Sequence, residues 1–373
     1  MQFQQIIGQK TAKLHLLETL RSGRFPHASL ICGPAGVGKL ATAIAIAQYM
    51  NCLQPTETDS CGKCSNCVKI SHFVHPDLHF VLPIISKTEG GRQLLSDSFM
   101  ESFGGKFMGN PYYTFEQWQQ DLEGDNKQLF ISVHEMREAK RKLLLKAFEA
   151  PFKTLIVWNA DKMRVEGANA FLKLLEEPPE KTLIIMTCSD TSKLLTTINS
   201  RCQRFFLDRV ASEDIAEYLV EKKELSASRA KDLALVADGS IGNVTQYLNE
   251  AYLEMNQLYI NWLRECYRGN YHSIHLIVNQ LCDKNKEYQR TFLKLAIGKL
   301  RISMMFHWHI EALALATQEE KEFHEKFSLL LSPEKVERMT DEIENAIRYL
   351  TGNANAEMTF VSLSLRLFGI MRG

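Results

Sequence analysis

The strongest constraint on the fold is a glycine-rich loop between an apolar run and a helical run. Residues 28–32 read ASLIC, a compact apolar run that predicts a buried strand. Residues 33–39, GPAGVGK, fit the pattern GxxxxGK, and a helix-like stretch over 39–50 follows. Such a loop aims backbone N–H groups and a helix N-terminus at phosphate oxygens. The sequence therefore predicts a phosphate-binding α/β core, with a plain glycine turn as the alternative.

The candidate nucleotide-binding residues of this loop are Gly33, Gly36, Gly38 and Lys39, with Lys39 expected to reach the terminal phosphates. The residue that follows is Leu40, where the pattern calls for a Ser or Thr whose hydroxyl ligates Mg²⁺. A leucine side chain has no ligand atom. We therefore expect ATP or ADP binding to be weak and metal-assisted hydrolysis to be poorly supported.

The second catalytic element of a phosphate-loop ATPase is a strand followed by an Asp-Glu pair, and here it is degraded. The candidate strand, residues 155–158, reads LIVW and is followed by Asn159 and Ala160. An amide and a methyl group stand where hydrolysis needs two carboxylates, one of them for the Mg²⁺ shell. Asp161 would need a shift of register to serve, and an acidic residue just after a strand is also an ordinary turn residue.

Short apolar runs alternate with helical patterns through the N-terminal half, which is typical of an α/β parallel sheet. Ser132 and Glu135 have capping-box spacing and predict a helix that runs to about Ala150. Further strands are expected at residues 79–82, 154–158, 182–187 and 203–207.

The pattern changes after about residue 208 and stays helical to the C-terminus. The predicted division is an α/β core over 1–208, a small helical lid over 209–250 and an all-helical domain over 251–373. Residues 83–127 contain several glycines and are predicted to be an insertion between elements of the sheet. The insertion carries aromatic residues that look exposed: Phe99, Phe103, Phe107, Tyr112, Tyr113, Phe115 and Trp118.

A cluster of cysteines predicts a metal site. Cys52, Cys61, Cys64 and Cys67 have the spacing C-x8-C-x2-C-x2-C, which suits one tetrahedral Zn²⁺. Four protein ligands close the coordination shell, so the predicted zinc is structural rather than catalytic. An iron–sulfur cluster and a redox pair are the alternatives. Residues 52–72 form the predicted zinc module.

Composition and charge exclude several classes. Lys+Arg and Asp+Glu both number 44, so DNA wrapping by bulk positive charge is not expected. The N-terminus lacks the basic-then-apolar pattern of a signal peptide, and no uninterrupted apolar stretch is long enough for a membrane span. We therefore expect a cytoplasmic protein, in which thiols stay reduced and disulfides do not explain the cysteines.

Taken together, these residues resemble the clamp-loader AAA+ family of bacterial DNA polymerase III. Residues 3–9, FQQIIGQ, are similar to the family's N-terminal segment bordering the adenine pocket, and the cysteine module follows the phosphate-loop helix. Residues 169–179, NAFLKLLEEPP, are close to the family's central helix, and residues 200–202, SRC, match another of its motifs. The resemblance covers residues 1–250 well, whereas the helical tail fits only in length and type.

The resemblance implies a specific role within the family. Its motor subunit, gamma/tau, keeps the Ser/Thr, the Asp-Glu pair and an arginine after a Gly-Ser turn. This chain has Leu40, Asn159, Ala160 and Gly242 at those places, but it retains Arg201. A subunit of this kind turns over no ATP itself and offers Arg201 as an arginine finger to a neighbouring site.

The resemblance also implies an assembly and its partners. The all-helical domain would be an oligomerisation collar, and the partners would be the gamma/tau and delta subunits. Through the complex, the chain would act on the sliding clamp and primer-template DNA during DNA replication.

Two other functions fit parts of the sequence. One is an active motor-type ATPase, which a metal-dependent hydrolysis assay on the isolated chain would reveal. The other is a DNA-binding protein that reads DNA with its cysteine module. The module is only weakly basic around Lys63 and Lys69 and has no stripe of arginine and aromatic residues, which disfavours this second function.

Overall fold

The computed structural model describes residues 1–85, 88–89, 92–122, 128–248, 250–310, 316, 318–352 and 354–373. The chain divides into two compact units, residues 1–224 with 239–242 and residues 225–238 with 243–373. Each unit has a hydrophobic core of its own. Among the described helices, none has both the length and the apolar character of a membrane span.

The core of the first unit is a parallel sheet of five strands in the order β2-β5-β6-β1-β7. Every pair of neighbours in it is parallel, as in the register that pairs Ala28 with Ile184. This is the predicted AAA+-type α/β fold class, and all five predicted strands are present. The strands, including a short antiparallel pair outside this sheet, are β1 (Ala28–Cys32), β2 (Leu78–Val81), β3 (Thr88–Glu89), β4 (Arg92–Gln93), β5 (Lys153–Val157), β6 (Thr182–Cys188) and β7 (Gln203–Phe206).

Helices cover both faces of this sheet, so its central strands β1, β5 and β6 are buried along their whole length. One of these helices, α2, is itself buried from Lys39 to Tyr49, which explains why its sequence is apolar all round. The first helices are α1 (Lys10–Arg21), α2 (Lys39–Met50), α3 (Ser65–Ser71), α4 (Met100–Gly109), α5 (Phe115–Asp121), α6 (Val133–Leu144), α7 (Val165–Glu176), α8 (Thr196–Asn199) and α9 (Ser212–Lys223).

The aromatic residues of the predicted insertion are mostly buried, so the expectation of exposed aromatics was wrong. Phe103 and Trp118 are fully buried, and the Phe103 ring lies 4.9 Å from that of Trp158. The Trp118 indole donates a hydrogen bond to the carbonyl of Pro83 at 2.9 Å. Helices α4 and α5 therefore complete the core of the first unit. Residues 86–87, 90–91 and 123–127 of the insertion lie outside the described residues.

Helix α6 ends at Leu144 rather than near Ala150, because the chain that follows is held by a carboxylate. Asp77 accepts hydrogen bonds from the backbone N–H groups of Phe148, Glu149 and Ala150 at 2.7–2.8 Å. Burial raises the pKa of Asp77, but these three donors outweigh it and leave the pKa lowered. An ionised Asp77 thus fixes the turn that leads into β5.

Only half of the predicted capping box forms at the start of α6. Ser132 caps the helix by accepting from the Glu135 N–H. The Glu135 carboxylate instead accepts from the backbone N–H and the hydroxyl of Ser96, at 2.8 and 2.7 Å. Burial raises the pKa of Glu135 to about 7, although the Ser96 hydrogen bonds oppose the shift. The side chain therefore ties α6 to the insertion.

All the regular secondary structure that is described in the second unit is helical. Trp262, Phe292 and Phe360 form edge-to-face pairs at its centre, and the Trp262 indole donates to the Ser364 hydroxyl at 2.9 Å. The remaining helices of the chain are α10 (Ala227–Val236), α11 (Ile241–Tyr247), α12 (Glu250–Arg268), α13 (Tyr271–Cys282), α14 (Lys286–His307), α15 (Gln318–Ser328), α16 (Pro333–Thr351) and α17 (Ala356–Arg372).

A polar cluster joins α14 and α15 inside this unit. Lys299 and Glu320 form an ion pair in which both side chains are under 10% exposed. The Ser303 hydroxyl lies 2.7 Å from Nδ1 of His324. Burial, followed by the charge of Lys299, lowers the pKa of His324 to about 4. The imidazole is therefore neutral at neutral pH, and the charged groups described within this cluster are those of Lys299 and Glu320.

Candidate functional site

The four clustered cysteines converge on one point. Their Sγ atoms all lie within 4.8 Å of one another, and the Cys61 and Cys67 sulfurs are 3.9 Å apart. A tetrahedral Zn²⁺ with Zn–S bonds of 2.3 Å would place its sulfurs about 3.8 Å apart. The Cys61 N–H donates to the Cys52 sulfur, and the Cys64 N–H donates to the Cys61 sulfur. Hydrogen bonds of this kind stabilise the thiolate form of a cysteine. The donor set therefore fits a metal ion.

The turn between two of these cysteines depends on Gly62. Its φ is +71°, and a Cβ there would lie 2.9 Å from the Gln2 side-chain oxygen. The N–H of Lys63 donates to the Cys61 sulfur and is the main cause that lowers the pKa of Cys61 to about 6. Part of the cluster thus favours the thiolate, which is the form that binds metal.

The cysteine module also fastens the N-terminal segment. The Asp59 carboxylate accepts from the N–H groups of Phe3 and Gln4, at 3.1 and 2.9 Å. Gln2 donates from its amide to the Ser60 carbonyl at 2.7 Å. The module therefore holds the start of residues 3–9, the segment that resembles an adenine-pocket border. Sequence reasoning missed Asp59, because a lone acidic residue inside a cysteine loop carries no pattern.

The phosphate loop has the strand–loop–helix context that the sequence predicts. Gly36 and Gly38 have positive φ values of 71° and 97°, and Gly38 stands just before α2. Lys39, however, turns back into the loop, where its Nζ donates to the carbonyls of Gly33 and Pro34 at 2.7 and 2.5 Å. Burial lowers the pKa of Lys39 to about 8, against the opposing charge of Asp161.

The space beside the loop is small. The cavity has a volume of about 70 Å³ and is lined in part by Lys39, Leu40 and Tyr112. Ligand pockets usually measure about 300–1,000 Å³. The N–H of Gly242 donates to the carbonyl of Gly36 at 3.1 Å, so another part of the loop is also covered. The residues present therefore do not fit a nucleotide in this arrangement.

The strand-end residues meet the same cavity without forming a carboxylate pair. Asn159 has a φ of 52°, and its N–H donates to the Thr187 hydroxyl at 2.9 Å. Asp161 lines the cavity, is 8% exposed and accepts from the Ser189 N–H at 3.2 Å. Asp161 is thus more than a solvated turn residue, but Leu40, which lines the same cavity, offers no metal ligand.

Arg201 lies in the segment that joins α8 to β7. Its guanidinium pairs with Glu176 at the end of α7, with Nε–Oε1 and Nη2–Oε1 distances of 2.8 and 2.5 Å. Nη1 donates to the Thr197 carbonyl at 2.9 Å, and about a third of the side chain is exposed. Arg201 is not among the described residues that line the phosphate-loop cavity.

Several known proteins are similar to this chain. The delta' subunit of DNA polymerase III from Bacillus subtilis is 26% identical over 266 residues, which are 71% of this chain and 67% of that protein. The tau subunit from the same organism is 24% identical over 254 residues, which are 67% of this chain but 37% of that protein. The match thus spans little more than a third of the tau subunit's length.

Among solved structures, a DNA polymerase III gamma-subunit-related protein from Thermotoga maritima aligns with 95% of this chain and 99% of its own, at 16% identity and a TM-score of 0.43. The sequence profile of the family described as "DNA polymerase III, delta subunit" matches residues 8–211, which are more than half of the chain. The chain therefore belongs to that DNA polymerase III clamp-loader family.

Proposed function

We propose that the chain is a delta-prime-type subunit of the DNA polymerase III clamp-loader complex, which helps to load the sliding clamp onto primed DNA during replication. The observation that carries this proposal is the loss of catalytic groups at the phosphate loop together with the retention of Arg201. Leu40 is 4% exposed and Gly242 packs on Gly36, so neither position can supply a catalytic side chain. Arg201 is partly exposed and stands apart from the chain's own loop.

The proposed partners are the gamma/tau and delta subunits, and through them the clamp and primer-template DNA. The proposed division of labour assigns residues 1–208 to the AAA+ core, 209–250 to a lid and 251–373 to a collar that oligomerises. Arg201 would serve the site of a neighbouring motor subunit as an arginine finger in trans. The proposed place of action is the cytoplasm.

The isolated chain is expected to hydrolyse ATP at or near the background rate. The reason is the absence of a hydroxyl at Leu40 and of a carboxylate pair at Asn159 and Ala160. Phosphate release should be measured with Mg²⁺ for the parent and for Lys39→Ala, which should be indistinguishable. Robust turnover that Lys39→Ala abolishes would favour the motor-type ATPase instead.

The role in the complex is tested by reconstitution with gamma/tau and delta. We expect the full chain to co-migrate with both in size-exclusion chromatography and to be required for clamp loading on primed DNA. If loading proceeds at the same rate without this chain, or if it does not join the complex, the proposed function is wrong.

The proposed metal is one structural Zn²⁺ per chain. We expect elemental analysis of freshly reduced protein to find zinc near one equivalent, and Cys64→Ser to lose it and to lower the melting temperature, because structural metal binding contributes directly to folding. Cys282→Ser, which changes a partly exposed cysteine outside the cluster, is the matched control. Iron, or no metal in reduced protein, would contradict this assignment.

A further inference from the structure

The phosphate loop is closed by a segment of the chain's own insertion, residues 110–114, here called the Tyr112 segment. The Tyr112 side chain lies against the loop, where a Cβ on Gly38 would come within 3.0 Å of its ring. Its hydroxyl accepts a hydrogen bond from the Ile7 N–H at 2.6 Å, and its ring packs edge-on against Tyr218 with centroids 6.4 Å apart. Tyr112 is 3% exposed. One side chain thus joins the N-terminal segment, the loop and α9.

The same segment leaves little room at Gly242. A Cβ on that glycine would lie 2.6 Å from the Thr114 methyl and 2.8 Å from both the Tyr112 carbonyl oxygen and the Gly36 Cα. An arginine there, as in a motor subunit, would collide with the segment. Gly242 and the Tyr112 segment therefore fit each other, and both occupy the approach to the loop.

Hydrogen bonds within the Tyr112 segment and to the start of α5 hold the segment in its conformation. Asn110 accepts from the Tyr112 N–H through its side-chain oxygen at 3.1 Å and from the Tyr113 N–H through its carbonyl at 3.0 Å. Thr114 caps α5 in a reciprocal capping box with Gln117. A preorganised segment loses little conformational entropy when it packs, which favours its closed position.

Tyr112 also separates two spaces. The cavity of about 70 Å³ at the loop has Pro111 and Tyr112 in its lining. A groove of about 690 Å³ along Ile7 and Tyr218 shares both residues. Removal of the Tyr112 ring would connect the two spaces. The combined space would then be large enough for a ligand, since ligand pockets usually measure about 300–1,000 Å³.

We propose that the Tyr112 segment is a built-in substitute for a nucleotide. It closes the phosphate loop and ties the loop to residues 3–9 and to α9 through the chain's own contacts, while Lys39 is satisfied by the carbonyls of Gly33 and Pro34. The core keeps this arrangement at any ratio of ATP to ADP. The inference rests on the proposed function only in treating the chain as a subunit without a working site.

The test is nucleotide binding by the full chain, measured with fluorescently labelled ADP and with unlabelled ADP in a thermal-shift assay. The parent should show no saturable binding below about 1 mM, equivalent to about 4 kcal/mol of binding free energy. Tyr112→Ala should bind at least about tenfold more tightly, a gain of about 1.4 kcal/mol. Tyr112→Phe keeps the ring and should behave like the parent.

A double variant shows where the new binding occurs. Tyr112→Ala combined with Lys39→Ala should lose the gained affinity, because the freed ammonium is then absent. Micromolar binding of ADP by the parent would overturn the proposal, and so would a Tyr112→Ala chain that retains its zinc and circular dichroism but binds no better than the parent.

A second measurement decides the matter if Tyr112→Ala does not fold. Hydrogen exchange of the Ile7 amide in the parent should be slow and should not change when millimolar ADP is added, since the amide is bonded to Tyr112. A change on ADP addition would overturn the proposal. Failure of the parent to assemble with gamma/tau and delta would instead remove the proposed function and leave these binding results intact.

Discussion

Arg201→Ala is expected to lower the clamp- and DNA-stimulated ATPase of the reconstituted complex and to slow clamp loading. A guanidinium is planar and permanently charged, so it suits the stabilisation of charge on a transferring phosphoryl group. Arginine fingers contribute about 10³–10⁵ in rate at the site they serve. The loss in total activity will be smaller, because this chain serves one site among several. Single-turnover hydrolysis in the complex is the measurement.

The structure supplies controls for Arg201. Arg204→Ala removes the same charge from an exposed position on β7 and should keep parental activity. Glu176→Gln weakens the ion pair that holds Arg201 in the isolated chain, so activity should stay at the parental level or rise. Arg201→Lys should recover little, because an ammonium cannot form the paired hydrogen bonds of the guanidinium.

The fold and the assembly of the complex should not change in the same variant. Arg201→Ala should leave zinc content, melting temperature and complex formation unchanged, since exposed ion pairs such as that with Glu176 contribute only about 0–1 kcal/mol. If the variant assembles normally and loads clamps at the parental rate, Arg201 is a surface residue and the proposed role in trans is wrong.

The second large effect is expected in the helical unit, where Glu320→Ala should lower the free energy of unfolding by about 3–5 kcal/mol. The substitution leaves the Lys299 ammonium buried without its carboxylate partner. Denaturant titration followed by circular dichroism measures the change. Glu322→Ala is the matched control, because its ion pair with Lys326 is exposed to solvent and should contribute little to stability.

A double variant separates the penalty of an unpaired charge from a loss of packing. Replacement of both partners, Lys299→Met with Glu320→Leu, should restore most of the stability, since buried ion pairs are often replaceable by apolar side chains of similar volume. Equal stabilities for Glu320→Ala and Glu322→Ala would show that the pair is not buried in solution.

The elements of the sheet were predictable because their signals are local. Each strand is a short apolar run, and a sheet covered on both faces requires such runs. The end of α6 was not predictable, because the leucine-rich pattern continues past Leu144. The carboxylate that stops the helix is Asp77, which lies 71 residues from Phe148 in the sequence. No local pattern records such a contact.

Some features of the candidate site could likewise be predicted from local sequence patterns, and others could not. The cysteine cluster follows from spacing alone, because Cys61, Cys64 and Cys67 lie within one loop and the turn of helix that follows it. The contact of Tyr112 with Gly38 depends on how α4 and α5 pack, which no local sequence pattern specifies. The aromatic residues of the insertion were expected to be exposed, whereas most of them are buried in the core of the first unit.

The strand order has a consequence for folding during synthesis. Among the described strands, β1 pairs with β6 and β7 and with no other, and these begin about 150 residues or more further along the chain. At translation rates of about 5–20 residues per second, β1 must wait roughly 10–30 s for its first partner. During that interval Leu30 and Ile31, which are fully buried in the folded chain, stay uncovered. Chaperone binding would therefore increase the yield of folded protein most while only the N-terminal half of the chain has been synthesised.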